Sequence, residues 1–188
     1  MRVNSTHKHS DRGLDPYFSP QCAAESLLKL EPDMPQELWE PAVGAGDIAW
    51  PLMEGGKNVF TSDIKDYGFP HTVVQDYLTS APPPGVKGLI TNPPYRKTRQ
   101  FVTKAIAEVP FVAMLLPLSF LEGVARHNWY SNHKPARVWV SSRRMPMMHR
   151  LGWTGKKSTS NKAYAWFVWE IGDESFEVRL FDWKKLTT

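Results

Sequence analysis

A chain of 188 residues, 41% hydrophobic and 22% charged, suits one domain (1–188) with a proper core. It has no run of 18 apolar residues and no apolar leader at Met1-Arg2-Val3-Asn4-Ser5, which argues against a membrane span and a secretory signal; a lone cysteine, Cys22, cannot form an internal disulfide. A formal charge of +4 and a pI near 9.2 permit a polyanionic partner without demanding one, and six histidines with no HxxxH or CxxC spacing give no metal site.

Residues 1–14 are expected to be flexible. Residues 20–30 form a helical pattern in which Cys22 is ordinary packing. A strand at 38–42 runs into Glu40-Pro41-Ala42-Val43-Gly44-Ala45-Gly46-Asp47, a glycine turn that opens a helix at 47–54. Glycines there permit unusual backbone angles and close approach to a ligand, and the helix start behind them favours negative charge. The strand at 58–62 ends at Asp63, which follows Gly44 by 19 residues. An acidic residue at about that spacing meets ribose hydroxyls in nucleotide-binding α/β folds. A strand at 72–75 leads to Asp76-Tyr77, and Ala81-Pro82-Pro83-Pro84-Gly85 is a stiff loop.

The strand at 89–91 stops at Asn92-Pro93-Pro94-Tyr95. Neither proline has an N–H for a ladder, so the chain turns in a rigid extended form. The Asn92 amide and the Pro93 carbonyl then offer two acceptors beside the ring of Tyr95, an arrangement that fits a planar NH2 group. Asn-Pro-Pro is also a common loop signal, and the neighbouring motifs decide between the readings. Helices follow at 98–108 and 119–130, with strands at 111–116, 137–141, 164–171 and 176–182. The last two, joined through Gly172-Asp173, read as an antiparallel edge. Alternation of this kind implies an α/β fold with a mostly parallel twisted sheet and helices on both faces. Ligands in such sheets bind beyond the strands' carboxyl ends, where the glycine turn, Asp63, Asp76 and Asn92 all fall.

In this order the motifs resemble the Rossmann-like class I methyltransferases that use S-adenosylmethionine. They are most similar to the small N6-adenine DNA methyltransferases of phages and prophages. Five segments carry the likeness: Asp15-Pro16-Tyr17-Phe18-Ser19-Pro20, Glu40 to Gly46, Ser62-Asp63-Ile64, Gln75-Asp76-Tyr77-Leu78, and Asn92 to Tyr95. Segments from Ala113 to Gly123 and from Ser158 to Trp169 add to it, so the likeness runs over residues 15–171. Phe18-Ser19 departs from the family's more usual Pro-Thr, and no separate target-recognition domain is expected.

The resemblance implies a cofactor site at Tyr17, Ser19, Pro20, Glu40, Ala42, Gly44, Gly46, Asp63, Ile64, Asp76, Tyr77 and Asn92. It implies a catalytic turn of Asn92, Pro93, Pro94 and Tyr95, and no metal. It also implies an enzyme with a nucleic-acid partner, DNA foremost, and the single Cys22 suits a reducing cytoplasm. The substrate side is expected around Tyr95, Arg96, Arg143, Arg144, Lys156 and Lys157, cations interleaved with Met147 and Trp153, a composition that grips phosphates and stacks bases. Phe120, Met147 and Trp153 are candidates for a second platform opposite Tyr95.

RNA bases and protein glutamine amides present the same planar NH2 and stay open as substrates. The turn also reads G-x-G-x-x-A through Gly44, Gly46 and Ala49, so a nicotinamide dehydrogenase is a competing class, one that gives the Asn92 turn no role. A non-enzymatic binding module is a third class.

Overall fold

The computed structural model describes residues 19–147 and 162–187. The stretch 1–14, Tyr17, Trp153, Lys156 and Lys157 lie outside the described residues. Five helices are present among those described: α1 Gln21–Leu30, α2 Ala49–Glu54, α3 Thr98–Glu108, α4 Val124–His133 and α5 Trp183–Leu186. The strands are β1 Glu37–Glu40, β2 Asn58–Asp63, β3 Val73–Val74, β4 Gly88–Thr91, β5 Phe111–Pro117, β6 Arg137–Ser141, β7 Tyr164–Glu170 and β8 Glu177–Phe181. They form one sheet in the order β3-β2-β1-β4-β5-β7-β6-β8.

Pairing is parallel throughout except at β7, which runs antiparallel to both β5 and β6. The central strands β4, β5 and β7 are nearly continuous apolar runs because both faces are covered. Side chains alternate between the two cores. Ala113, Leu115, Trp166 and Val168 pack with Ala23, Ala24, Leu27 and Leu52 under α1 and α2. Val112, Met114, Leu116, Ala165 and Phe167 pack with Phe101, Val102 and Ala105 of α3 and with Trp129 and Tyr130 of α4. Buried indoles find acceptors: Trp166 Nε1 donates to Ala23 O at 2.9 Å, and Trp39 Nε1 to Ser62 Oγ at 2.9 Å. Gly88 lets β1 and β4 close, since a Cβ there would lie 2.7 Å from Leu38. Arg137 at the start of β6 fastens α1 to the sheet through a two-pronged pair with Glu31 at 2.8 and 2.9 Å, and it also reaches Glu170 and Asp173.

Three expectations change. Strands β7 and β8 are not an antiparallel pair. Both edges of β7 are already held, by β5 and β6, so the chain passes β6 and lays β8 parallel along its far side. The antiparallel strand is therefore β7, with β6 and β8 between it and the edge. The helix expected over 119–130 is broken at Gly123, whose φ of +108° no helix continues; a 3₁₀ turn at Leu118–Leu121 precedes it and α4 follows. Helix α5 is an addition, started by Asp182, whose side chain accepts from the Lys184 N–H. No helix among the described residues is long and apolar enough to cross a membrane.

Candidate functional site

Parallel strands β1, β2 and β4 end at one side of the sheet, and their last residues are Glu40, Asp63 and Thr91. The chain leaves β1 through the glycine turn. Gly44 and Gly46 adopt φ of +53° and +89°, a region that costs a side chain but not glycine. Gly46 has a second reason to lack a Cβ, which would lie 2.0 Å from the ring of Phe69. Phe69 is buried there with Val43 and Ala49, in the loop after β2. Nothing in the sequence of that loop marked Phe69.

The turn is pinned by the next strand. Gly44 N–H donates to Asp63 Oδ2 at 2.9 Å, and Val43 N–H to Ser62 O at 3.1 Å. Burial raises the Asp63 carboxyl above its ordinary range, and N–H groups of Gly44, Lys65 and Ile64 partly offset this. Ile64, next along, is 47% exposed at the rim. Glu40 is 1% exposed and lies beneath the turn. Burial, then the nearby Asp47 and Asp63, push its carboxyl well above the usual range, against a hydrogen bond from the Ala49 backbone. Its Oε2 has no hydrogen-bond partner. Asp47, which the sequence reading left out of the site although it directly follows Gly46, is pushed up to about 6 by burial, with the Ser19 backbone donating to it.

Asn92 stands just past β4. Its Nδ2 donates to Ser19 Oγ at 3.0 Å, which commits the nitrogen end of the amide. Its Oδ1 is buried and has no partner. Ser19, Asp47, Glu40, Gly44, Asp63 and Asn92 are thus joined by direct contacts or charge proximity, although 73 residues separate Ser19 from Asn92. Pro20 precedes α1 with extended backbone, and Ala42 is half-buried. Asp76 is half-buried one residue beyond Gln75, whose N–H donates to Asp63 O at 2.8 Å. Asp76 Oδ1 accepts from Leu78 N–H at 3.0 Å.

Past Asn92, Pro93 is buried, Pro94 exposed, and Tyr95 half-buried at the start of a 3₁₀ turn leading into α3. The Tyr95 hydroxyl meets that of Tyr164 at 2.5 Å, and Lys162 Nζ lies 6.0 Å from the centre of the Tyr95 ring. Tyr164 opens β7 and Lys162 lies two residues before it, so only the fold brings them here. Arg96 is exposed on the same turn.

Four expected contacts are corrected. The Tyr77 ring is 2% exposed and packs edge-on against Trp39 and tilted on Phe101; it belongs to the core. Phe120 is 6% exposed, met edge-on by Trp129, Tyr130 and Phe167, and presents no face to a base. Met147 is buried in the core on the α1 side. Arg143 is engaged by Asp182 at 3.1 and 3.3 Å. In each case the residue's own neighbours satisfy the apolar surface or the charge that suggested a ligand. Among the described residues no group of three or more His, Cys, Asp or Glu is arranged to hold a metal ion.

No family model and no curated protein matches the sequence. Solved structures do resemble the fold. A Pyrococcus horikoshii protein proposed to be an RNA methyltransferase aligns over 84% of this chain and 88% of its own, with a TM-score of 0.64 at 16% identity. The modification protein of the type I restriction enzyme EcoKI aligns over 92% of this chain and 49% of its own, with a TM-score of 0.58 at 13% identity. The magnesium protoporphyrin IX methyltransferase of Synechocystis PCC 6803, solved with bound S-adenosylmethionine, aligns over 79% of this chain and 76% of its own, with a TM-score of 0.52 at 13% identity. With its parallel order β3-β2-β1-β4-β5 and the inserted antiparallel β7, the chain has the Rossmann-like fold of the class I methyltransferases.

Proposed function

We propose that this protein transfers a methyl group from S-adenosylmethionine to a planar NH2 group, and that the group is N6 of adenine in DNA. The observation that carries the reading is the Asn92 amide. Its nitrogen is committed to Ser19, and its oxygen is a buried acceptor without a partner at the carboxyl end of β4. A buried acceptor left unmet costs about 1–3 kcal/mol, so a donor belongs there. A dehydrogenase reading gives that oxygen no task.

The cofactor supplies a methyl group on a sulfonium, whose departure leaves a neutral thioether. The chain's residues hold both partners. Asp63 keeps lone pairs beyond its bond to Gly44 for two ribose hydroxyls, Asp76 has a second oxygen for an adenine amino group, and Ile64 covers the base. Asp47, raised to about 6 and so ionised near neutral pH, sets negative charge beside the glycine turn, suited to the cofactor's ammonium group, and the buried Glu40 offers its unpartnered oxygen as an acceptor. Asn92 Oδ1 and the Pro93 carbonyl accept from the two N–H bonds of the substrate amine. That makes the nitrogen more pyramidal and localises its lone pair toward the methyl carbon. Positioning of this kind contributes roughly 7–11 kcal/mol at best. No strong base is needed, because the proton leaves after transfer, from a positively charged and acidic product. Tyr95 offers a stacking face for the flipped base, worth about 1–3 kcal/mol.

The test is methyl transfer from labelled cofactor to DNA, RNA and protein, followed by nucleoside and amino-acid analysis. N6-methyladenine in DNA is the expected product. Label in an RNA base or in glutamine moves the substrate and keeps the chemistry. Absence of S-adenosylhomocysteine binding by calorimetry, with NAD binding instead, overturns the reading.

A further inference from the structure

Strand β8 ends the sheet, and among the described residues no strand lies on its outer side. An open strand edge is a template for pairing with another chain, and native sheets usually blunt it. Within Glu177–Phe181 the edge carries no proline, lysine or bulge, and its two charges, Glu177 and Arg179, are of opposite sign and paired with each other. Glu177 N–H donates to Ala136 O at 2.8 Å and Phe181 O accepts from Ser142 N–H at 2.7 Å, so the backbone groups of residues 177, 179 and 181 point at β6. Those of Val178 and Leu180 therefore point outward, as alternation along a strand requires.

The side chains are as unpartnered as the backbone. Val178 is 56% and Leu180 74% exposed, and Phe176, just before the strand, is 41% exposed. Val178 and Leu180 stand beside Val138 and Val140 on the face that α3 and α4 cover further along the sheet. On the other face Glu177 and Arg179 form an exposed ion pair with each other, and Arg179 lies over Trp139.

We propose that this edge pairs antiparallel with β8 of a second copy of the chain, about a two-fold axis at Val178. Outward-pointing residues must oppose outward-pointing residues, and axes at Val178, Arg179 or Leu180 achieve this with at least three residues of each strand paired. Charge selects among them. An axis at Arg179 sets Arg179 against the partner's Arg179, and one at Leu180 sets Arg179 against Phe181. An axis at Val178 sets Glu177 against the partner's Arg179 twice over, as a closely spaced pair without its own hydrogen bonds. It also sets Val178 against the partner's Val178, which exchange two backbone hydrogen bonds; the ladder spans residues 177–179 of each copy, because Phe176, at φ +50°, lies outside the strand. This register thus satisfies the outward backbone groups of Val178 and the charges of Glu177 and Arg179 together. Its symmetry is closed, so it stops at two copies.

The experiment is sedimentation of the full chain across a concentration series. The expected species has the mass of two 21.5 kDa chains. Arg179→Glu sets like charges opposed twice and should weaken the dimer by about tenfold or more. The double variant Glu177→Arg with Arg179→Glu restores opposite charges and should return the parent dissociation constant. Val178→Pro removes an outward N–H that the monomer's ladder does not use, and should leave a folded monomer. A monomer at all concentrations overturns the proposal. So does a dimer indifferent to Arg179→Glu and Val178→Pro, which would use another surface, and so does failure of the double variant to recover.

Discussion

The carboxylate of Asp63 accepts a hydrogen bond from the backbone N–H of Gly44 at 2.9 Å, so the end of one strand holds the turn at the end of its neighbour. This bond locks the glycine turn in its left-handed shape beside the carboxylate. Removing Asp63 therefore frees the turn as well as removing the carboxylate proposed to meet the ribose.

Asp63→Ala is expected to weaken S-adenosylhomocysteine binding by at least ~1.5–3 kcal/mol, the range for a hydrogen bond to a charged group. Asp63→Asn should lose less, because its amide oxygen still accepts from Gly44. Titration calorimetry measures both. Unchanged affinity in the alanine variant removes Asp63 from the cofactor site.

Asn92→Ala is expected to abolish turnover with cofactor affinity nearly intact, since the proposed task of its unpartnered oxygen is to accept from the substrate amine. Ser19→Ala leaves the amide in place but no longer fixes which end points inward. It should lower kcat by a smaller factor, of about fivefold for ~1 kcal/mol of lost orientation. Single-turnover kinetics alongside calorimetry separates the two effects. Near-normal turnover in Asn92→Ala would falsify amine activation.

Asp47 and Glu40 predict a pH dependence of definite sign. Burial raises both carboxyls in the folded chain. A raised carboxyl holds its proton more tightly when folded than when unfolded. The folded state is thus favoured at low pH and loses that contribution as pH rises from about 4, the unfolded value, through the folded value of about 6 at Asp47. The Asp47→Asn variant should show a flatter fall in melting temperature across this window than the parent. S-adenosylhomocysteine, whose ammonium favours the ionised form, should raise the parent's melting temperature more at neutral pH than near pH 5. A stabilisation by ligand that is constant with pH in the parent rules this out.

Nucleic-acid binding should depend on Arg96 and Arg99, which are exposed beside the Asn92 turn, more than on Arg143, which Asp182 already neutralises. Replacing Arg96, Lys97 and Arg99 with alanine should weaken binding to all sequences alike. It should also flatten the salt dependence by roughly 0.7–0.9 log units per lost phosphate contact. Arg143→Ala alone should leave the slope nearly unchanged. Filter binding or fluorescence anisotropy across salt concentrations reads both, and the reverse ranking moves the phosphate track to the 143–162 connection.

Much of this protein was legible in the linear chain, because short-range physics governs it. Apolar runs bounded by Gly and Pro placed all eight strands to within a few residues. The parallel alternation followed, and with it the gathering of Gly44, Asp63, Asp76 and Asn92 at the strands' carboxyl ends. What local pattern could not decide was which neighbour a strand or side chain would meet. Strand β8 lies parallel to β6 because β7 has no free edge, a fact of sheet occupancy rather than of residues 172–182. Phe120, Tyr77 and Met147 are aromatic or apolar beside the motifs, yet three-dimensional packing turns them into the core. Asn92 and Ser19, Tyr95 and Tyr164, and Arg143 and Asp182 lie far apart in the chain, and only the assembled fold brings each pair within hydrogen-bonding distance.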